Sequence, residues 1–265
     1  MGIPSYKIKK RQKAKDTLSG LINNDENVLI IHYSCESFYN IKDGRTPRVT
    51  SIAIRFFESG QTKSFSIHKI AEREGIALDE IESDYDDLEY KMLNEYFEFV
   101  KEHKNYNWIH WNMRDMNYGF EAIKNRFSVL DGEPVKIKES KKYDLARIMV
   151  SLYGLNYIGH PRLKKLVEKN GITKRDFLTG KREAECFESK EFVKLHQSTL
   201  RKVDIFQTII ERWANNSLET NSNIIDIYGL NPQGVFELVK NHWLFYLIST
   251  IFFLFLGGLI SNFMG

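Results

Sequence analysis

The C-terminal end of the chain carries an uncharged apolar run that strongly limits what this region can fold into. From Trp243 to Ile260, 18 residues read WLFYLISTIFFLFLGGLI, without an Asp, Glu, Lys or Arg. A helix of this length spans about 27 Å, close to the hydrocarbon thickness of a bilayer. A buried core helix is the alternative, but a helix packed on a domain of this size normally keeps one polar side, and none is present here. We therefore predict a single transmembrane helix over residues 241–263.

Charge around this run predicts its orientation and location. Lys240 and His242 precede it, and no charged residue follows it. By the positive-inside rule the globular part is expected in the cytoplasm, which predicts a single-pass protein of the inner (cytoplasmic) membrane. The N-terminal basic residues are followed by no apolar stretch, so no secretory signal is predicted. Gly257 and Gly258 would allow two such helices to approach closely and self-associate.

The rest of the chain has the composition of a globular protein. Hydrophobic residues make up 42%, charged residues 28%, and the formal net charge is +3. These values exclude a disordered chain and a strongly basic nucleic-acid coat. Cys35 and Cys186 show no CxxC spacing, which excludes a disulfide framework and a typical zinc site. The sequence therefore predicts one folded domain over residues 27–214 and a polar linker over 215–240.

The N-terminal segment 1–26 is predicted to be a basic arm. Six of the nine residues from Lys7 to Lys15 are basic. Such a run is suited to phosphates, either of nucleic acid or of anionic lipid. The simpler alternative is a solvated arm with no partner.

Apolar periodicity divides the domain into strands followed mainly by helices. Val28 to Ile31 is typical of a strand buried on both faces, and it leads into a polar segment. Two further strands, Val49–Phe57 and Lys63–His68, are predicted to form a meander with it. The other predicted elements are the strand Asn107–Trp111 and the helices Asp86–His103, Tyr118–Phe127, Asp144–Tyr153, Arg162–Asn170 and Ser198–Trp213. The predicted fold class is α/β, a mixed sheet with helices, followed by the transmembrane helix.

This element order, with acidic residues where the family has them, resembles the ribonuclease H-like fold of the DEDD 3′–5′ exonucleases. The family's first strand ends in Asp-x-Glu, and the corresponding triplet here is Ser34-Cys35-Glu36. Its second motif places an aspartate after a short strand, behind a His-Asn pair, where this chain has Asp115 or Asn117. Its third motif places an aspartate on the last helix, where this chain has Asp204.

The resemblance implies a two-metal phosphodiesterase site. Glu36, Asp115 and Asp204 would be the ligands of Mg²⁺ or Mn²⁺, which prefer carboxylate oxygens. Ser34 departs from the pattern, because a neutral hydroxyl offers no charge to a hard cation.

A general base is also implied, commonly a His or Tyr four or five residues before the last aspartate. Leu200 and Thr199 occupy those positions and cannot act as bases. His196, eight residues before Asp204, is the candidate for the catalytic residue.

Trp111, Asn112 and Arg114 form a second cluster, which predicts a nucleic-acid-binding surface. Trp and Arg stack on bases, and Arg can bind a phosphate with two hydrogen bonds. A buried aromatic strand followed by a polar turn explains the same residues equally well.

Three functions are compatible with these patterns. The first is a membrane-anchored, metal-dependent exonuclease, a combination that suits a bacterial antiviral-defence effector by analogy of architecture. The second is a catalytically inactive sensor of nucleic acid or nucleotide, and the third is a membrane-tethered protein-interaction scaffold. The acidic candidates also have simpler interpretations, because Glu36 could pair with Arg55, and Asp204 with Arg201 or Lys202.

Overall fold

The computed structural model describes residues 6–37, 46–223, 226–227, 246–247 and 250–254. Within these residues, helices cover both faces of a five-stranded mixed sheet, which confirms the predicted α/β class. The strands are β1 Val28–Cys35, β2 Val49–Phe56, β3 Thr62–Ser66, β4 Asn107–His110 and β5 Lys142–Asp144. The order across the sheet is β3-β2-β1-β4-β5.

The first three strands form an antiparallel meander, and β4 and β5 extend the sheet in parallel with β1. Ser34 on β1 lies opposite Ser51 on β2, which lies opposite Ser66 on β3. Because directly paired residues project from the same face, the three serines form a polar row across the sheet. This row lies toward the carboxyl end of β1.

Eight α-helices lie within the described residues. They are α1 Tyr6–Ile22, α2 Ile67–Glu74, α3 Tyr85–His103, α4 Phe120–Val129, α5 Leu145–Tyr153, α6 Arg162–Lys169, α7 Gly180–Glu188 and α8 Phe192–Ala214. Apolar residues of α2, α3, α4, α7 and the start of α8 share one core cluster, and those of α1, α5, α6 and the rest of α8 share another. The sheet therefore separates two helical layers.

The sequence of β1 explains why it lies at the centre. Leu29 and Ile31 belong to the core cluster with α3, whereas Val28 and Ile30 belong to the cluster with α8. A strand that buries both faces needs a continuous apolar run, which is what Val28 to Ile31 provides. Burying each such side chain contributes about 1.5–3 kcal/mol.

The N-terminal segment differs from the predicted arm. Residues 6–22 form α1, in which Ala14, Leu18 and Leu21 are buried. The spacing of these three residues places them on one side of the helix, and this side joins the core cluster that contains α5. The basic residues of the run hid this short apolar stripe.

Other elements also differ from the sequence prediction. The elements β5, α2 and α7 were not predicted, because each is short and has a mixed composition. The last helix begins at Phe192 rather than at Ser198, so His196 and Thr199 lie inside it.

The C-terminal prediction falls largely outside the described residues. No helix within the described ranges is long and apolar enough to cross a membrane. Trp243 and most of the predicted transmembrane run lie outside these ranges, while residues 250–254 are helical and exposed. The first part of the predicted linker packs on the domain, because the Asn221 N–H donates to the Tyr157 carbonyl oxygen at 2.7 Å.

Candidate functional site

The carboxyl end of β1 holds the first candidate ligand, Glu36. The Glu36 N–H donates to the Arg48 carbonyl oxygen at 2.8 Å, and the Arg48 N–H donates to Glu36 Oε2 at 3.4 Å. Burial, together with the carboxylates of Glu183, Glu36 and Glu89, raises the pKa of the neighbouring Cys35 thiol to about 12. The end of β1 is therefore buried and electronegative, and the thiol stays protonated at neutral pH.

A chain of hydroxyl groups follows the serine row. The Ser51 and Ser34 hydroxyls each lie 2.8 Å from the Thr199 hydroxyl of α8, and the Ser34 hydroxyl donates to Glu183 Oε1 at 3.2 Å. Ser51 can donate to Thr199 and Ser34 donates to the carboxylate, while the single Thr199 proton has two acceptors at 2.8 Å, the Ser34 hydroxyl and the Leu195 carbonyl oxygen. Such a chain is cooperative in a buried environment. Ser34 is therefore committed to contacts inside the protein.

Glu183 of α7 is the acceptor at the end of this chain. Its Oε1 also accepts a hydrogen bond from the Ser198 hydroxyl at 2.8 Å and lies 2.6 Å from the ammonium nitrogen of Lys202. The side chains of Lys202 and Glu183 are only 6% and 12% exposed. The chain thus supplies its own cation next to Ser34, the position where the resemblance implies a metal-binding aspartate.

Asp204, the third candidate ligand, lies elsewhere on α8. It forms ion pairs with Arg201 and, at 3.8 Å, with Arg55 Nη2. Thr199 contacts Ser34 late in β1, whereas Gln207 accepts a hydrogen bond from Arg55, which lies opposite Ile30 early in β1. Helix α8 therefore runs opposite to β1.

This direction separates Asp204 from Glu36. The two residues lie on opposite sides of the contact between Thr199 and Ser34, about 14 Å apart along the strand direction. Carboxylates that share a two-metal site hold ions about 3.5–4 Å apart. The structure does not bring Glu36 and Asp204 together in this way.

Asp115, the second candidate ligand, is exposed in the loop between β4 and α4. Its carboxylate accepts the Asn117 N–H at 2.8 Å, and its own N–H donates to the Tyr118 carbonyl oxygen at 3.1 Å. It thereby stabilises a tight turn. Among the described residues, no group of three or more His, Cys, Asp and Glu is arranged to hold a metal ion. The implied Mg²⁺ or Mn²⁺ site does not fit the candidate residues as they are placed.

His196, the candidate base, is buried in α8, and its ring centroid lies 5.1 Å from that of His68. Burial, with smaller contributions from the charges of His68 and Lys69, lowers the pKa of His196 to about 3. The ring is therefore neutral at pH 7 and a very weak base. It also lies two helical turns from Asp204, so the structure does not support the predicted catalytic role.

Trp111 does not present its ring to solvent. It is 8% exposed and stacks on Phe206, with ring centroids 5.7 Å apart and an interplanar angle of 15°. The indole is part of the core, which corrects the prediction that it stacks on bases.

Arg114 belongs to a cluster that the sequence did not reveal, centred on Asp144 at the end of β5. The buried Asp144 carboxylate accepts N–H groups of Asn112 at 3.2 Å, Ala146 at 3.1 Å and Arg147 at 3.4 Å. The Nε atoms of Arg114 and Arg147 lie 3.5 and 3.6 Å from Asp144 Oδ2. We call Arg114 and Arg147 the arginine pair. Their side chains are 43% and 69% exposed, so both guanidinium groups reach solvent.

The arginine pair retains capacity to bind an anion. Each guanidinium has five N–H donors, and among the described residues each is ion-paired only with Asp144. The surroundings of His110 are electropositive. Its pKa is lowered to about 3, mainly by burial and in addition by the charges of Arg114, Lys142 and Arg147. The pair lies at the carboxyl ends of parallel strands, where open α/β sheets bind ligands.

The sequence contains a recognisable pattern for some of the site residues that were not predicted, but not for all of them. Asp144 directly precedes the apolar start of α5, which is an N-cap pattern. Lys202 lies at helical spacing from Leu195 and Phe206 on the buried side of α8, which indicates a buried charge that needs a partner. We find no comparable signal for Glu183.

Comparisons with family models, with curated proteins and with solved structures found no match to the chain. Two features of the structure bear on function: the closed network around Ser34 and the open arginine pair.

Proposed function

We propose that this protein is a membrane-anchored, ribonuclease H-like domain that binds a phosphate-bearing ligand, a nucleotide or single-stranded nucleic acid, without hydrolysing it. The sheet supports the fold assignment, because an antiparallel meander is followed by two parallel strands with α8 packed across β1 and β2. The meander, α3 and β4 follow the order on which the family resemblance rests, and β5 was not predicted.

The single observation that carries the proposal is the network around Ser34. A two-metal site needs carboxylates that converge on divalent cations. Here the Ser34 hydroxyl is bonded to Thr199 and Glu183, and the Lys202 ammonium lies 2.6 Å from the Glu183 carboxylate. A fixed positive charge repels a divalent cation and occupies the carboxylate that would bind it. The site is thus suited to structural stability rather than to metal catalysis.

The arginine pair supports the choice of ligand. Guanidinium groups bind phosphate through two parallel hydrogen bonds, and two exposed guanidiniums on one carboxylate leave a net positive charge. Asn112 lies on the surface beside them and can contribute a side-chain amide. The proposed ligand therefore bears a phosphate. The arginine pair lies on an open surface, which suits the exposed backbone of a single strand or a nucleotide.

The exonuclease remains the second candidate, with Glu36, Asp115 and Asp204 holding Mg²⁺ or Mn²⁺. The acidic surroundings of Cys35 favour it, because Glu36, Glu183 and Glu89 all raise the pKa of that thiol. It requires Asp204 to move toward Glu36 when metal binds. No contact among the described residues favours a role in antiviral defence or a role as a protein scaffold.

The membrane anchor is supported by the sequence of the tail and by the exposure of its described part. Ile251, Phe252, Phe253 and Leu254 are large apolar residues, and each is more than half exposed. Exposed apolar side chains in consecutive helical positions are costly in water and favourable in a bilayer. Attachment to the cytoplasmic membrane, with the domain in the cytoplasm, is part of the proposal.

Binding by the arginine pair can be tested with the full-length chain in detergent. Fluorescence anisotropy would measure the affinity for a labelled single-stranded oligonucleotide, with ATP as a competitor. We expect Arg114→Gln with Arg147→Gln to weaken binding by roughly 10-fold to 100-fold, because two charge-assisted contacts are lost.

A matched control is Arg175→Gln with Arg182→Gln, which removes two exposed arginines elsewhere. The control should retain binding within about twofold. Equal loss in both double variants would show only a general charge effect and would contradict the proposed site.

A further inference from the structure

Helix α1 presents a lysine surface on the outside of the domain. Lys7, Lys9, Lys10 and Lys13 are all exposed, and we call these four residues the lysine surface. Lys9 and Lys13 project away from the side of the helix that buries Ala14 and Leu18. The helix is therefore held by its apolar side, with Lys9 and Lys13 facing outward and Lys7 and Lys10 lying beyond the N-terminal end of the buried stripe.

The lysine surface lacks ion-pair partners within the described residues. None of its four lysines forms an ion pair there. Some lysines elsewhere in the domain are paired; Lys91, for example, contacts both Glu74 and Asp87 at 2.9 Å. Four like charges within two turns repel one another, so the arrangement gains most from an external anion.

The path of the chain after α8 indicates which anion lies near the lysine surface. The Ser222 hydroxyl donates to the Tyr153 carbonyl oxygen at 2.6 Å, at the C-terminal end of α5. Arg11 of α1 donates through Nε to the neighbouring Leu152 carbonyl oxygen at 3.1 Å. The chain therefore leaves the domain beside α1.

A limited length of chain joins this exit to the predicted membrane segment. Asp226 still lies against Gly154. A Cβ atom built on Gly154 would lie 3.3 Å from the Asp226 carbonyl oxygen. Trp243 follows 17 residues later, so even an extended connection spans about 60 Å or less. The exit point thus holds the lysine surface within reach of the surface into which the tail would insert.

We infer that the lysine surface docks the domain on anionic phospholipid headgroups of the membrane that anchors it. The inference rests on the proposed membrane anchor and adds the orientation of the domain to it. Lysines within about 8 Å of an anionic surface are attracted by its potential at physiological salt. Docking through α1 leaves the arginine pair, at the opposite end of α5, available to a ligand.

Energy transfer in reconstituted vesicles tests this docking. A donor dye on Ser19→Cys would report the distance of α1 from acceptor dyes on lipid headgroups, in full-length chain inserted in neutral vesicles or in vesicles with 30% phosphatidylglycerol. Ser19 is exposed, and the pKa values of the native thiols Cys35 and Cys186 are raised by burial, which slows their labelling. We expect higher transfer in anionic vesicles, and loss of the increase in 0.5 M salt.

Charge-neutral variants identify the residues. Replacing the lysine surface with Gln at all four positions should lower the docked-to-undocked ratio at least tenfold in anionic vesicles. The matched control replaces the exposed lysines Lys101, Lys104, Lys138 and Lys181 with Gln and should keep the increase in transfer. Equal transfer in neutral and anionic vesicles, or equal loss in both variants, would overturn the inference.

Two further measurements separate the alternatives. Flotation with neutral vesicles depends on the tail alone, so failure to float would refute the membrane anchor. Flotation without charge-dependent energy transfer would refute only the docking of the lysine surface. An oligonucleotide that binds through the lysine surface, with no docking on anionic vesicles, would assign these charges to nucleic acid and overturn the lipid assignment.

Discussion

The two helical layers on either side of the sheet differ in charge and in how that charge is used. Between Ile67 and Lys104, which covers α2 and α3, 12 residues are acidic and 5 are Lys or Arg. In α1, α5 and α6 together, 11 are Lys or Arg and 2 are acidic. We call these the acidic layer and the basic layer.

The acidic layer contains a buried ion pair. Arg126 of α4 donates to Glu89 Oε2 through Nε at 2.9 Å and Nη2 at 2.7 Å, and the Val49 N–H donates to Glu89 Oε1 at 2.6 Å. In the basic layer, the lysine surface and the exposed guanidinium of Arg147 point to solvent. The difference indicates that one layer stabilises the fold and the other is available to anionic partners.

Removing Arg126 should have the largest effect on stability. Arg126→Leu leaves the Glu89 carboxylate, which is fully buried, without its cation. We expect the free energy of unfolding to fall by about 3–5 kcal/mol, as for other broken buried ion pairs. Urea unfolding followed by circular dichroism would measure it.

The double variant Arg126→Leu with Glu89→Gln is the control for this comparison. It removes both charges and should recover part of the loss, because no buried carboxylate remains uncompensated. A single variant that costs less than about 1 kcal/mol would show that the acidic layer is not held by this pair.

Lys202 tests whether a buried pair also stabilises the other side of the sheet. Lys202→Met removes the ammonium from Glu183, and we expect a smaller loss of about 2–3 kcal/mol, since two hydroxyl donors remain on the carboxylate. The same urea measurement applies. Recovery in Lys202→Met with Glu183→Gln would support the network, and a stability equal to that of the parent in the single variant would contradict it.

Buried histidines predict a pH dependence. The pKa values of His110 and His196 are lowered to about 3 in the folded protein, whereas unfolded histidine has a value of about 6.5. Between these values the unfolded chain binds more protons than the folded chain, so the free energy of unfolding falls as the pH falls. Each histidine contributes about 1.4 kcal/mol per pH unit in this window.

A variant isolates one of these contributions. His196→Leu should reduce the slope of the unfolding free energy against pH, between pH 6 and pH 4, by about 1.4 kcal/mol per pH unit. Glu89 acts in the opposite direction, because its pKa is raised to about 7 and its contribution is lost as the pH rises. An unchanged slope in His196→Leu would contradict the buried neutral state of this ring.

Sequence predicted the fold better than the site, for physical reasons. Long periodic segments such as β1 and α3 bury a continuous face, so their pattern is visible locally. Contacts that define the network, such as Ser34 with Thr199, join residues 165 positions apart. Asp204 satisfied a local motif, but the direction of α8 decides where its carboxylate lies, and no local pattern encodes that direction.

Single residues illustrate the same limit. Trp111 and Arg114 lie three positions apart, yet one packs on Phe206 and the other reaches solvent. Their separation depends on the turn at Asn112, which has a positive φ of 56°. The sequence identified the segment as important but could not assign an environment to each side chain.

Nuclease assays on the full-length chain with a labelled single-stranded oligonucleotide, with and without Mn²⁺, test the central claim most directly. We predict that the oligonucleotide is bound with the same affinity in both conditions and is not shortened, because the Lys202 ammonium and the separated carboxylates leave no two-metal site. Mn²⁺-dependent shortening from the 3′ end that Asp204→Asn abolishes, while the variant keeps its thermal stability, would contradict the account and establish the exonuclease.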